Sequence, residues 1–90
     1  MTVAEMASLF RCAGVPDWFY VTDGGLGGGE CVGIEPSPSG WRVYYSERGR
    51  KSPLDDWPDE DSACRAMIRH VDRMVRHAGL GSIPSLMPPC

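Results

Sequence analysis

The strongest constraint on the fold is an apolar stripe in the last third of the sequence. Between about Pro58 and His77, apolar side chains recur at the i, i+3, i+4, i+7 spacing of a helix with one buried face. The stripe consists of Ala63, Cys64, Met67, Ile68, Val71, Met74, Val75 and Ala78. Acidic residues open this segment and basic residues close it, which suits the helix dipole. Such a helix requires an apolar surface to pack against, and the rest of the chain has to supply it.

A second, shorter helix is predicted at the start of the chain. Apolar residues at helical spacing are Val3, Met6, Leu9, Phe10 and Ala13. Thr2 can cap this helix together with Glu5 three residues later, in a capping box. Gly14 is a natural stop, because glycine readily takes the left-handed conformation that ends helices.

The clearest strand pattern runs from Trp41 to Glu47, where side chains alternate with a period of two. Alternation indicates one face toward a core and one face away from it. Together with the neighbouring strand, the core face is predicted to carry Val32, Ile34, Trp41, Val43 and Tyr45. The opposite face, called the outer face below, is predicted to be mostly uncovered and to carry Cys31, Gly33, Glu35, Arg42, Tyr44 and Ser46.

Weaker patterns predict strands at residues 18–22 and 30–35. A short strand at 51–54 is confined to a sheet edge by Pro53, which cannot donate a backbone hydrogen bond. The order α-β-β-β-(β)-α predicts an α+β fold. We expect an antiparallel meander of three to four strands with both helices packed on one face.

Size and composition restrict the function. Ninety residues allow one domain, which we place over residues 1–78, with a flexible tail over 79–90 that is rich in Pro, Gly and Ser. The net charge of −3 argues against a nucleic-acid partner. No Cys-x-x-Cys pair occurs, so we expect no metal and no cofactor. No signal peptide or membrane span is recognisable, so we expect a cytoplasmic protein without a membrane partner.

The stretch DGGLGGGE, Asp23–Glu30, holds five glycines in eight residues. A phosphate-binding Walker loop requires a Lys followed by Ser or Thr and then a helix, and a dinucleotide fingerprint requires a third glycine where Glu30 stands. A carboxylate there would repel a phosphate, and a strand is predicted to follow. We interpret the stretch as a hairpin loop. A loop that orders on a partner, or one that binds a small ligand, remains an alternative.

Two surfaces are candidates for binding a partner. The first is an acidic run around Trp57, made of Asp55, Asp56, Asp59, Glu60 and Asp61. It lacks the spacing of a calcium loop. Its charges suit the start of a helix, and the alternative is a patch that steers a basic partner. On the outer face, Tyr44 and Arg42 are residue types that often dominate interfaces. The candidate partner-binding residues are therefore Arg42, Tyr44, Asp55, Asp56 and Trp57.

The sequence shows no acid–base pair for catalysis. His70 and His77 share one face of the predicted helix, and Asp72 points elsewhere on it. We interpret both histidines as surface residues and expect no enzymatic activity. The three tryptophans each begin or end an element, so we expect them at the edge of the core.

Several short motifs together resemble a group of small, mostly uncharacterised actinobacterial proteins that are immunity-like or toxin-associated. The matching motifs are Gly14-Val15-Pro16, Asp23-Gly24-Gly25, Gly40-Trp41, Val43-Tyr44-Tyr45, Glu47-Arg48-Gly49 and Ala63-Cys64. They span about residues 8–77. The chain departs from the pattern after Gly25, where Pro and acids are replaced by glycine, and at Pro58, where a Ser or Thr cap is typical.

The resemblance implies a domain that binds another protein, in its most concrete form an immunity-type inhibitor that occludes a toxin active site. It carries no catalytic residues with it. Two other classes stay open: a homo-oligomeric structural protein, and a small-ligand binder that uses the glycine loop.

Overall fold

The structure, a computed structural model, describes residues 1–25 and 29–79. Two helices, a 3-10 turn and four strands follow one another as α1 (Val3–Ala13), the turn (Asp17–Phe19), β1 (Tyr20–Val21), β2 (Cys31–Ser37), β3 (Gly40–Glu47), β4 (Arg50–Trp57) and α2 (Glu60–His77). The predicted α+β class and element order are confirmed. The predicted flexible tail lies, apart from Gly79, outside the described residues.

Helix α1 begins and ends as its sequence predicts. The Thr2 hydroxyl accepts a hydrogen bond from the Glu5 backbone N–H at 3.2 Å, and the Glu5 carboxylate accepts one from the Thr2 N–H at 2.9 Å. This reciprocal pair satisfies two backbone donors that the helix itself cannot. Gly14 ends the helix in the left-handed conformation at φ 77°.

The four strands form one mixed sheet in the order β1-β2-β3-β4. The pairs β2–β3 and β3–β4 are antiparallel, but β1 and β2 are parallel, with Tyr20 opposite Val32. The expectation of a fully antiparallel meander is therefore wrong at β1. Most of the predicted strand at 18–22 is a 3-10 turn, in which the Phe19 N–H donates to the Pro16 carbonyl at 3.0 Å. Since β1 has only two residues, a short connection can return beside it without a helix.

The edge strand β4 is longer than predicted, and a bulge interrupts it. Val43 lies opposite Asp55 and Tyr44 lies opposite Pro53, so Leu54 is the extra residue. A bulge and a proline both make an edge strand a poor template for another chain. β4 is therefore protected against strand addition at its centre.

One hydrophobic core fills the space between the helices and the sheet. Val32, Ile34 and Val43 on the sheet are buried there, and Trp41 and Tyr45 pack against them, as predicted. From the helices, the buried side chains in this core are Met6, Phe10, Ala63, Cys64, Ala66, Met67, Val71 and Val75. Helix α2 contacts β2, β3 and β4, and α1 packs on α2.

The outer face of the sheet differs from its prediction. Cys31, Tyr44 and Ser46 are fully buried on a face expected to be mostly uncovered. The Tyr44 ring lies directly over Gly33 on the neighbouring strand, so closely that a Cβ at Gly33 would overlap three ring and hydroxyl atoms. Gly33 is therefore required by this contact, and a larger residue would push the ring off the sheet.

We predict that Gly33→Ala destabilises the protein by about 1–3 kcal/mol, because over-packing forces side chains and backbone to shift. The matched control is Gly29→Ala, where a Cβ meets nothing within 4 Å and φ is not positive. That change is expected to be neutral or to stabilise by up to about 1 kcal/mol. Urea unfolding followed by circular dichroism measures both, and equal midpoints for the two variants would contradict the Gly33 contact.

Candidate functional site

Tyr44, expected to be an exposed contact residue, is covered by the chain itself. Its hydroxyl donates a hydrogen bond to the Gly25 carbonyl at 2.6 Å. The Lys51 ammonium lies 4.7 Å from the centre of its ring, in cation–π geometry. Burial raises the pKa of Tyr44 to about 12, and the nearby Glu35 carboxylate adds to the effect. The expectation that Tyr44 is exposed on the outer face is therefore wrong, and its role as a partner contact stays a prediction.

The connection between β1 and β2 supplies this cover. Lys51 donates to the Gly24 carbonyl and also pairs with Glu35 Oε1 at 2.9 Å. The Gly25 N–H donates to Asp23 Oδ1 at 2.9 Å, in an Asx-type turn. The close approach of the Gly24 backbone to Glu35 suits glycine, because a Cβ at Gly24 would lie 3.2 Å from Glu35 Oε1. The φ angle of Gly24 is 80°, which also favours glycine.

The glycine run is neither a hairpin loop nor, in its described part, arranged as a phosphate site. The interpretation as a hairpin loop is wrong, because β1 and β2 are parallel. A phosphate site would need several backbone N–H groups that converge on an anion. In residues 22–25 the carbonyls of Gly24 and Gly25 face a cation and a hydroxyl, and the Gly25 N–H is already bonded. Residues 26–28 lie outside the described part of the chain.

Arg42 and Asp56 lie on the outer face, as the alternation of β3 predicts. They are opposite each other on β3 and β4, and Arg42 Nε pairs with Asp56 Oδ1 at 2.9 Å. The two side chains are 36% and 50% exposed, so both remain accessible to a partner. An exposed pair of this kind contributes little to folding, on the order of 0–1 kcal/mol.

Asp55 faces the opposite way and belongs to the helix side of the sheet. Its Oδ2 lies 2.7 Å from Nε2 of His70 on α2, in a partly buried contact. The sequence pattern does not reveal this pair, because Asp55 and His70 lie 15 residues apart on different elements. The signal is tertiary: Asp55 is opposite the core residue Val43, which turns its side chain toward α2. Asp55 and His70 therefore join the edge strand to the helix.

Trp57 and the rest of the acidic run also serve the fold. Trp57 is half-buried against the core, and its buried indole N–H has no hydrogen-bond partner within residues 1–25 and 29–79. Asp59 caps α2 by accepting the Ser62 N–H at 2.7 Å. Glu60 accepts the Val3 N–H at 2.7 Å, which connects the first turns of the two helices. The interpretation of these charges as helix-start electrostatics is confirmed for Asp59 and Glu60.

Asp61 completes the acidic run with two partners. Its carboxylate binds the Met1 ammonium at 2.7 Å and Arg65 Nε at 3.0 Å. Hydrogen bonds from both cations lower the pKa of Asp61. Most of the acidic run is thus occupied by intramolecular contacts. Of its two members that are candidate binding residues, Asp55 and Asp56, Asp56 is the more accessible, with half of its side chain exposed.

Trp18 is the exposed aromatic residue that sequence reasoning placed at the edge of the core. Its side chain is 69% exposed, against 41% for Leu54 and 37% for Met1. It stands in the 3-10 turn, and its ring meets Phe19 edge-on at a centroid distance of 6.4 Å. The turn that Pro16 and Phe19 close fixes the backbone on which the indole is presented. A sequence pattern cannot distinguish this turn from a strand, because a segment of three residues is too short to separate a period of three from a period of two.

The described residues hold no cluster of three or more His, Cys, Asp or Glu side chains that could bind a metal ion. Within the same residues, no helix has the length and apolar character required to cross a membrane. Comparison with protein-family models, with curated proteins and with solved structures found no match to this chain. The candidate site therefore rests on the contacts of its own residues.

We predict that Tyr44 makes stability depend on alkaline pH. Below pH 10 both folded and unfolded states hold the phenol proton, and above it the unfolded chain ionises first because its pKa is the ordinary one. The free energy of unfolding should therefore fall from about pH 10 to about pH 12. The full loss is about 2–3 kcal/mol for a two-unit difference in pKa. Tyr44→Phe lacks this contribution, so its urea midpoint should decline less steeply with rising pH than that of the unchanged protein. Parallel declines of the two proteins between pH 10 and pH 12 would contradict the buried phenol.

We predict that Asp55 and Asp56 differ in their contribution to stability although they are neighbours. Asp55→Ala removes the partner of a partly buried histidine and should cost about 1 kcal/mol. Asp56→Ala removes an exposed pair and should cost roughly 0.5 kcal/mol or less. A double-mutant cycle with His70→Ala should give a coupling near 1 kcal/mol for Asp55 and near zero for Asp56. Equal coupling energies of Asp55 and Asp56 with His70 would contradict the Asp55–His70 contact.

Proposed function

We propose that this protein is a non-catalytic domain that acts by binding another protein, with Trp18 at the centre of the contact. The observation that carries the proposal is the 69% exposure of the Trp18 side chain on a backbone turn closed by a hydrogen bond. Tryptophan is among the residue types that contribute most to binding energy at interfaces. A backbone that is already hydrogen-bonded loses less entropy when such a side chain is immobilised on a partner.

The Arg42–Asp56 pair on the outer face is the second proposed contact. Both side chains are accessible, and each charge can exchange its present partner for one on another protein. Charges of this kind guide orientation and association rate more than they raise affinity. Of the five residues predicted from the sequence, Arg42 and Asp56 stay in the proposed surface. Tyr44, Asp55 and Trp57 are assigned to the fold.

The concrete form that we propose is an immunity-type inhibitor in the cytoplasm, which occludes the active site of a toxin domain. The net charge of −3 supports docking over a basic cleft, where long-range attraction speeds the encounter. The motif resemblance described above supports the same class. A ligand site in the glycine loop is less favoured, because the peptide groups of Gly24 and Gly25 are bonded within the chain.

Two measurements, made one after the other, test this function. Light scattering of the purified protein comes first, because a mass of twice 9.9 kDa would favour the homo-oligomeric alternative. Affinity capture from the native host then compares the unchanged protein with Trp18→Ala. The proposal requires a stoichiometric partner that carries an enzymatic domain, is lost with Trp18→Ala and is inhibited by one equivalent of the unchanged protein. A partner retained equally by both baits, or an enzyme left fully active, would contradict it.

For a partner identified in this way, we predict that Trp18→Ala weakens binding by about 2 kcal/mol or more, as for interface hot spots. Leu54→Ala is the matched control, since Leu54 is also an exposed apolar residue but lies on β4. It should change the affinity by less than about 0.5 kcal/mol. Titration calorimetry gives both values, and the reverse ranking would move the interface from the turn to the edge strand.

A further inference from the structure

A groove of about 370 Å³ opens between the C-terminal half of α2 and the sheet. Its apolar lining includes Val32, Tyr45, Leu54 and Met74, which come from β2, β3, β4 and α2. The volume lies in the lower part of the range of small-molecule sites, roughly 300–1,000 Å³. A ring or a branched aliphatic group would fit against these side chains.

One side of the groove carries cationic and imidazole groups at helical spacing. His70, Arg73 and His77 lie at i, i+3 and i+7 on α2, and all three line the groove. Arg73 is exposed and forms no ion pair with any residue of the described ranges, whereas Arg65 and Arg76 on the same helix are paired. The C-terminal end of a helix favours cations and does not supply anion-binding N–H groups. An incoming carboxylate would therefore bind the guanidinium of Arg73 rather than the backbone.

The residue before β2 supplies an acceptor to the groove. Glu30, which precedes β2, lines the groove and is exposed. Glu30 and Tyr45 line the same groove; burial raises the pKa of the Tyr45 phenol, and the Glu30 carboxylate adds to that effect. His70 is held in a fixed orientation by Asp55 at 2.7 Å. The groove thus combines apolar side chains with a cation from α2 and an acceptor from the residue before β2.

We infer that this groove binds a small amphipathic carboxylic acid, with its carboxylate on Arg73, its aromatic or branched body on the apolar side chains, and a hydroxyl group donating to Glu30. Neither the protein-binding function proposed above nor the glycine loop is needed for this site. The three kinds of contact act on different parts of one molecule, which is how small-molecule sites fix orientation.

The probe for this site is 4-hydroxyphenylacetate, titrated into the isotope-labelled protein and followed by two-dimensional NMR. We expect saturable shifts at Val32, Tyr45, Leu54 and Met74, with a dissociation constant of roughly 1 mM, as for a ligand of this size. Tyramine replaces the carboxylate by an amine and should bind at least tenfold more weakly. Phenylacetate lacks the hydroxyl and should bind several-fold more weakly.

Two matched substitutions localise the contacts. Arg73→Gln should weaken 4-hydroxyphenylacetate binding about tenfold, whereas Arg69→Gln, one turn earlier and outside the groove lining, should leave it unchanged. Glu30→Gln should reduce the preference for 4-hydroxyphenylacetate over phenylacetate. All three side chains are exposed, so the variants should keep the native spectrum. Unsaturable or scattered shifts, tyramine binding as tightly as the acid, or equal effects of Arg73→Gln and Arg69→Gln would overturn the inference.

Discussion

The apolar face of α2 packs across β2, β3 and β4, and the positions of the other elements follow from this contact. Met67, Val71 and Val75 are buried from the helix, and Ile34 and Val43 are buried from the sheet. Burial of each such side chain contributes roughly 1.5–3 kcal/mol, which is large beside the net stability of a small domain. Helix α1 completes the core from the side of α2, where its first turn is tied to Glu60.

With both helices on one face, the sheet has a second face that no helix within residues 1–25 and 29–79 covers. The chain protects its centre by other means: the Gly25 carbonyl accepts from the Tyr44 hydroxyl, the Tyr44 ring lies over Gly33, and Lys51 reaches over the ring. Ion pairs and hydrogen bonds thus replace a second layer of apolar side chains. The dense glycine run is explained, in its described part, by this close approach of backbone to sheet. The contacts that we propose for a partner lie away from this covered centre: Trp18 in the 3-10 turn, and the Arg42–Asp56 pair on the accessible part of the same face.

The sequence predicted those features that depend on neighbours along the chain. The capping box at Thr2, the stripe of α2 and the alternation of β3 are local patterns, and all three are present. The direction of β1, the cover over Tyr44 and the Asp55–His70 contact depend on groups distant in sequence, and the patterns missed them. Of the candidate site, the pattern placed Arg42 and Asp56 correctly on an accessible surface. It misjudged Tyr44 and Trp18, because exposure is decided by what packs above a residue.

The proposal that Trp18 is the partner contact depends on the burial of Tyr44 beneath its own chain. A nuclear Overhauser spectrum of the unchanged protein tests it most directly. A covered Tyr44 ring should give cross-peaks to the α-protons of Gly33 and Gly25, with an upfield ring-current shift at Gly33. A Tyr44 ring without contacts to Gly25, together with an indole of Trp18 that shows cross-peaks to core methyl groups, would reverse the two roles.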